Sequence, residues 1–519
     1  MMTNAFPIRY RVISFALNAL LLCVCSVNYA FASESPNIIV IVADDLGYAD
    51  MSFLSHSPED VQTPGIDRLA AMGTYFTDAY ATSPICSPSR TGLITGRYQQ
   101  RWGNYWYGQG GLPDAERTTP QFLKERGYYT IKIGKTHLNG GPAQHPLDHG
   151  FDEFLGFISH TWDYVRLSQD DLDAYKARAE GKGLGMLYVG PLTRGRDENV
   201  SYQDGFTTEI FTDEAVMTIE AGKESSQPFF IELEYNAVHM PTYVTHPDYA
   251  LRVGLEPDVW DREAKEWEFP FWDPAKSPWG EWHKNWGHLE EVDPQGRKRY
   301  LSHLMAMDDG ISKILDTLDA TGQTENTIIV FLSDNGGTIN TYSNNNPLRG
   351  YKYMFGEGGI RVPLIVAWPG QLLEGDTCEN LVSAMDVCPT LLDLTGIPRP
   401  ENLDGESLTP LLRGQDDAIE HDHICWAQRK NSDTWAIRKG PWKLISSEGW
   451  THLNYALDEN NVASRAQDYE YPAGLLLFNL EQDIGETTNL ADEHPDVVRE
   501  MCLLFEEWRA NVTYEQENR

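Results

Sequence analysis

Four short apolar runs, each ending in a polar cluster, constrain this chain more than any other feature. Ile38-Ile39-Val40-Ile41-Val42-Ala43 leads into Asp44-Asp45, and Tyr129-Thr130-Ile131-Lys132-Ile133 leads into Gly134-Lys135-Thr136-His137. Phe229-Phe230-Ile231-Glu232-Leu233 leads towards Asn236 and His239. Ile328-Ile329-Val330-Phe331-Leu332 leads into Ser333-Asp334-Asn335-Gly336-Gly337. Runs of this length and composition suit strands covered on both faces, as in a parallel sheet. Helical patterns lie between them: Tyr300, Leu304, Met307, Ile311, Leu315 and Leu318 recur at three- to four-residue spacing, and Gly322 closes the segment. This alternation predicts an α/β fold with a mainly parallel central sheet flanked by helices. Ligands gather beyond the carboxyl ends of such strands, so all four polar clusters are expected on one edge.

The 519 residues suffice for one large or two ordinary domains. Residues 163–300 read as a long, irregular, aromatic-rich insertion, with Trp260, Trp267, Trp272, Trp279, Trp282 and Trp286 close together. Towards the C-terminus, Trp435-Ala436-Ile437-Arg438, Trp442-Lys443-Leu444-Ile445 and Leu475-Leu476-Leu477-Phe478 read as short strands, and residues 495–510 as a final helix. A catalytic domain over 33–420 and a smaller α+β subdomain with a short antiparallel sheet over 421–519 are therefore expected. Residues 1–32 have the pattern of an export signal: Arg9 and Arg11, an apolar stretch over 12–25, then Ala30-Phe31-Ala32. That stretch falls short of the ~20 residues a membrane span needs. The mature protein is thus expected to be exported, periplasmic or extracellular, with no membrane span.

Lys and Arg number 41 against 77 Asp and Glu, a net charge of −36. Loss of Arg9 and Arg11 with the leader makes it two units more negative. Such a surface argues against nucleic-acid binding. It would also repel polyanions, except at seawater-like salt, where the screening length shrinks to roughly 3–5 Å. Seven cysteines are too few to be a disulfide framework for this length. Cys23 and Cys25 lie in the leader. Cys378 and Cys388 could pair or could equally be buried thiols.

Asp44, Asp45, Asp334 and Asn335 offer only hard oxygen donors, with no His or Cys beside them in sequence, which favours Ca²⁺ or Mg²⁺ over Zn²⁺. Each pair taken alone is also compatible with a helix cap or a turn. Cys86-Ser87-Pro88-Ser89-Arg90 places a cysteine just before a helix start, where Pro88 suits the first turn and the helix dipole favours negative charge.

That run continues through Leu93, Thr95-Gly96 and Arg97, and here the chain resembles the type I sulfatases of the alkaline-phosphatase-like superfamily. The likeness extends to Pro36-Asn37, Gly134-Lys135-Thr136-His137, Leu348-Arg349-Gly350-Tyr351-Lys352 and Glu357-Gly358-Gly359-Ile360-Arg361-Val362-Pro363. It also includes Phe478-Asn479-Leu480-Glu481 and Gly485-Glu486-Thr487-Thr488-Asn489-Leu490. The resemblance implies that a maturation enzyme oxidises Cys86 to formylglycine, whose hydrate is a geminal diol at the metal. One hydroxyl attacks sulfur and expels the alcohol; collapse of the second releases sulfate. It further implies Asp44, Asp45, Asp334 and Asn335 as ligands, with residue 86, of one Ca²⁺, Mg²⁺ being the lesser alternative. Arg90 would steady the diol and the carboxylates. Lys135 and Lys352 would bind sulfate oxygens. His137 would deprotonate the second hydroxyl, and His239, in Ala237-Val238-His239-Met240-Pro241, would bind sulfate and protonate the leaving oxygen. Thr136 departs from the bulky aromatic found in many relatives, which reshapes the pocket floor.

Export, acidity and aromatic residues together favour a sulfated polysaccharide or oligosaccharide as substrate, algal in type, such as ulvan or carrageenan, cleaved from a chain end. Trp102, Tyr105, Trp106 and Tyr107 follow the cysteine motif and are expected near the pocket mouth. Rival readings are an arylsulfatase, a phosphonate or phosphate monoester hydrolase of the same superfamily, and a non-catalytic carbohydrate-binding protein.

Overall fold

The first apolar run forms β1, Asn37–Ala43, and every one of its residues is buried. The computed structural model describes residues 35–138, 145–158, 164, 192–200, 205–240, 242, 245–256, 292–415, 421–430, 433–452 and 454–517. The leader expected over 1–32 and Trp260, Trp267, Trp272, Trp279, Trp282 and Trp286 lie outside them.

In chain order the other strands of the main sheet are β2 (Gly73–Phe76), β3 (Tyr129–Lys135), β4 (Glu153–Phe157), β5 (Leu192–Arg194), β6 (Asp197–Val200), β7 (Phe229–Glu234), β8 (Thr327–Ser333), β9 (Leu364–Ala367) and β10 (Asp376–Cys378). They run side by side in the order β10-β2-β9-β8-β1-β7-β3-β4-β5-β6. The central five, β8-β1-β7-β3-β4, are mutually parallel. Antiparallel pairs appear outside them, at β8-β9, β9-β2, β4-β5 and β5-β6.

Alternation along each strand sends side chains to two layers. Ile39, Ile41 and Ala43 pack with α1 (Pro64–Ala71), α3 (Thr207–Lys223) and α4 (Gly296–Thr321). Ile38, Val40 and Val42 pack with Leu93 and Ile94 of α2 (Cys86–Thr95). The spacing that predicted a helix from Tyr300 is α4, and Gly322 ends it in the left-handed conformation. α3 and β7 fall inside the stretch 163–300 that composition marked as irregular. Phe229, Phe230, Ile231 and Leu233 are as apolar as β1, so β7 takes a central place between β1 and β3.

The second sheet consists of β11 (Ile424–Ala427), β12 (Trp435–Lys439), β13 (Trp442–His452) and β16 (Tyr469–Asn479), all antiparallel. A separate hairpin, β14 (Tyr455–Leu457) with β15 (Ala463–Arg465), lies between the last two in sequence. One face of this sheet packs Trp435 and Ile437 on Phe505 and Trp508 of α5 (Pro495–Glu517). Its other face packs Trp426, Ala436 and Ile445 on Tyr80, Phe355 and Ile360. β13, β16 and α5 all run longer than their apolar cores indicate, because ladder and helix hydrogen bonds continue through polar residues. Cys86, Cys378, Cys388, Cys425 and Cys502 are free thiols. No helix among the described residues is long and apolar enough to cross a membrane.

Candidate active site

The carboxyl ends of β1, β3, β7 and β8 meet where the parallel register aligns them. Val42 stands beside Glu234 and Ala43 beside Ser333, so Asp44-Asp45 and Asp334-Asn335 emerge as neighbours. The two loops are tied together: Asp45 N–H donates to Asp334 Oδ1 (3.3 Å), Leu46 N–H to Ser333 Oγ (3.1 Å), and Asn335 Nδ2 to Asp45 Oδ1 (2.7 Å). Asp45 has φ +63° and His137 φ +47°. Such conformations are uncommon for residues other than glycine and gather at functional sites.

Cys86 opens α2 as its first residue, and its Sγ lies within 4.8 Å of carboxylate oxygens of both Asp44 and Asp334. Burial pushes the Cys86 thiol up from its ordinary value, and Lys135 and Lys352 oppose this only in part, so an unmodified thiol here is protonated at neutral pH. One turn along α2, Arg90 donates through Nε (3.0 Å) and Nη2 (2.7 Å) to Asp334 Oδ2, and lies 3.4 Å from Asp44. It also donates to Glu234. Burial would lower its pKa, but Asp334, Glu234 and Asp44 outweigh that and hold Arg90 firmly cationic.

Lys135, the last residue of β3, donates to Asp44 Oδ2. Lys352 reaches the other acid, donating to Asp45 Oδ1 at 2.6 Å. His239 places Nε2 3.7 Å from Asp45 Oδ2, while its Nδ1 is 2.6 Å from the Met240 carbonyl oxygen. That carbonyl only accepts, so Nδ1 carries the proton and Nε2 is the exchangeable position facing the acids. His137 is buried two residues beyond Lys135, its N–H donating to the Ile158 carbonyl at 3.2 Å. Thr136 is buried between the two.

The donor set suits a divalent cation. Asp44 Oδ1, Asp45 Oδ2 and Asn335 Oδ1 are buried acceptors that receive no hydrogen bond, and such atoms need a partner. They are hard oxygens, the kind Ca²⁺ and Mg²⁺ prefer. Asp44, Asp45 and His239 form a second group of ligand atoms within 4.8 Å of one another.

Sequence reading missed the layer beneath. Glu234 sits between Arg90 and Lys132, whose Nζ is 2.7 Å from Glu234 and 2.6 Å from Glu232. The available signal was three charged residues, Lys132, Glu232 and Glu234, inside otherwise apolar strands. Of the aromatic residues after the cysteine motif, Trp102 and Tyr105 are buried and Tyr107 is exposed. Trp106 stands 6.1 Å from the ring of Tyr353, the neighbour of Lys352.

A family model described as Sulfatase matches residues 36–397, and one described as N-sulphoglucosamine sulphohydrolase, C-terminal, matches 350–463. The N-acetylgalactosamine-6-O-sulfatase of Bacteroides thetaiotaomicron is 30% identical, covering 91% of this chain and 93% of its own. The N-acetylgalactosamine-6-sulfatase of Mus musculus is 28% identical, over 93% of this chain and 88% of its own. Among solved structures, Ps i-CgsB in complex with k-i-k-neocarrahexaose superposes with a TM-score of 0.72 at 30% identity, covering 92% of this chain and 93% of that one. The motif-bearing strand ends and the match over residues 36–397 agree: this chain belongs to the sulfatase family and is a sulfuric ester hydrolase.

Proposed function

We infer that this sulfatase removes sulfate esters from galactose-configured sugars of a sulfated poly- or oligosaccharide, using formylglycine made from Cys86 and one calcium ion. The observation that carries the chemistry is the convergence of Asp44, Asp334 and Cys86 Sγ, with Lys135 and Lys352 on the flanking acids. The thiol stands where the hydrated aldehyde would be. Asp44, Asp45, Asp334 and Asn335 would hold the calcium, which supplies positive charge to the sulfate oxygens when bound. Lys135 and Lys352 add point charges for the same oxygens. Arg90 keeps Asp334 and Asp44 ionised and oriented. His239 donates its Nε2 proton to the departing sugar oxygen, and His137 takes a proton from the second hydroxyl of residue 86 as sulfate departs. The net reaction consumes one water and yields alcohol, sulfate and a proton.

The sugar assignment is supported by the relatives: two act, by name, on N-acetylgalactosamine sulfate, and Ps i-CgsB holds a neocarrahexaose. Export of the mature chain, expected from residues 1–32, accords with a polymeric substrate met outside the cytoplasm. Mass spectrometry of the peptide containing residue 86, from protein made in its own host, should find an aldehyde. Sulfate should be released from sulfated galactan or N-acetylgalactosamine-containing oligosaccharides, and Cys86→Ala should abolish release while the fold survives. An unmodified thiol with no sulfate release would sink the mechanism. Turnover of a phosphate ester far above any sulfate ester would reassign the chemistry.

A further inference from the structure

Beside the active site, the described residues enclose a second cleft of about 650 Å³, between the loop that leads to Lys352 and the β14–β15 hairpin. That volume falls in the range of roughly 300–1,000 Å³ typical of small-molecule sites. Asn344, Asn346, Arg349, Asn454, Tyr455 and Tyr469 contribute to its walls.

Its back wall is shared with the catalytic loops. Asn345 Oδ1 accepts from Tyr48 N–H (3.3 Å) and Gly337 N–H (3.1 Å). These lie three residues past Asp45 and two past Asn335. Asn345 Nδ2 donates to the Gly337 and Gly350 carbonyls at 3.0 and 3.2 Å. Arg349 precedes Lys352 by three residues, so their Cα atoms are at most about 11 Å apart. The wall at Arg349, Gly350 and Tyr351 therefore lies within about 11 Å of the Lys352 backbone.

The lining chemistry suits a glycan. Asn346 is exposed, and half-buried Asn344 accepts from the Asn346 N–H through Oδ1 (2.9 Å), so the two amides supply donors and acceptors of the kind that sugar hydroxyls pair with. Tyr469 is 47% exposed, a large value for an aromatic ring. Arg349 lies behind it, its Cζ 5.3 Å from the Tyr469 ring centre and 4.3 Å from that of Tyr471. Its Nη atoms are held by the Glu486 and Glu470 carbonyls at 2.9 and 3.0 Å. A ring fixed in this way is a platform for the C–H face of a pyranose. The chain carries 77 acids against 41 bases, yet no Asp or Glu side chain is among the described residues lining the cleft, and Arg349 is. Asp468 and Asp483 stand just outside the lining, accepting from the Asn454 N–H (3.1 Å) and the Thr487 N–H (2.7 Å), so salt screening governs how closely an anionic glycan approaches.

We propose that the cleft bounded by Asn346, Arg349 and Tyr469 is a glycan subsite that binds a neighbouring unit of the anionic oligosaccharide whose sulfate ester is cleaved at residue 86. It rests on the sugar-sulfatase reading above. The decisive experiment compares kcat/KM for sulfated oligosaccharides, neocarrahexaose among them, with kcat/KM for an aryl sulfate, in wild type and in the Asn346→Ala, Tyr469→Ala double variant. The oligosaccharide-to-aryl ratio should fall at least tenfold through KM, and Tyr469→Trp should preserve it. Calorimetric titration of Cys86→Ala protein with the hexaose should show affinity weakened to a similar degree by the double substitution. A ratio and an affinity that stay as in wild type overturn the subsite alone. A wild type that cleaves the aryl ester but neither binds nor desulfates any of the oligosaccharides overturns the sugar reading, and the subsite with it.

Discussion

Glu234 lies one layer beneath the proposed sulfate site and reaches it only through Arg90. It is buried, and it accepts from Arg90 on one side and Lys132 on the other. Arg90 in turn holds Asp334 and Asp44. Glu234→Gln keeps the volume and removes the charge, so Arg90 should lose orientation while the core stays packed. Such partners of site residues typically matter by about 10–100-fold. A steady-state assay should find kcat reduced by about that factor, and Tm should fall because Arg90 and Lys132 each lose a buried partner; wild-type kcat would show Arg90 to be held by the aspartates alone. Asp44, Asp45, Lys135, Asp334 and Asn335 were legible in sequence because each follows a buried run directly. Glu234 was not, since a carboxylate inside a strand announces no partner until the register places one.

Among the elements, β3 depends on a glycine for its fit. Gly134 has φ +96°, and a Cβ there would lie 2.0 Å from the Glu234 carbonyl oxygen on β7. Gly134→Ala therefore meets both backbone strain, about 1–3 kcal/mol for a side chain in such a conformation, and a steric clash that displaces Lys135. Thermal melting should show a clear drop in Tm together with lost sulfatase activity. A variant matching wild type in both would mean that β3 and β7 can separate without cost. The end of α4 followed from a local signal, Gly322, and Pro88 marked the first turn of α2, which begins at Cys86 itself rather than after it. The apolar run Phe229–Leu233 marked β7 as a buried strand, but its place between β1 and β3 was set by pairing.

For the whole molecule, the second sheet acts as a brace for the Lys352 loop. Lys443 on β13 is wholly buried and lies 2.8 Å from both Glu357 and Glu486. Burial would raise the Glu357 carboxyl, but Lys443, Arg361 and Arg438 outweigh it and hold it down to about 2, from an ordinary 4.5. A carboxyl depressed in the folded state stabilises above its unfolded value, and that contribution is lost as pH falls from about 4.5 towards 2. Lys443→Met should thus cost about 3–5 kcal/mol near neutrality, by taking the cation from buried Glu486 and leaving Glu357 to Arg361. Denaturant titrations across pH should find the gap from wild type narrowing in acid; a constant gap would remove the ion pair as its cause. The proposed metal site gives a second global readout. Added calcium should raise Tm of the chelator-treated protein in proportion to the logarithm of its concentration. Asp334→Ala should abolish the shift, and a variant that still responds would take Asp334 out of the ligand set.

By itself the sequence determined the strand runs, the helices between them and the cysteine motif that carries the family likeness, because hydrophobic periodicity and motif spelling are local properties of the chain. Tertiary structure alone decided which charges meet. Arg90 and Glu234 are 144 positions apart, Lys352 and Asp45 307, and their pairing depends on a parallel register and on loops closing over one sheet edge. It also decided how the second sheet braces the Lys352 loop and where the cleft lined by Arg349 and Tyr469 opens beside it. Buried ion pairs and clefts form only between segments that folding brings together, and no stretch of the chain encodes either alone.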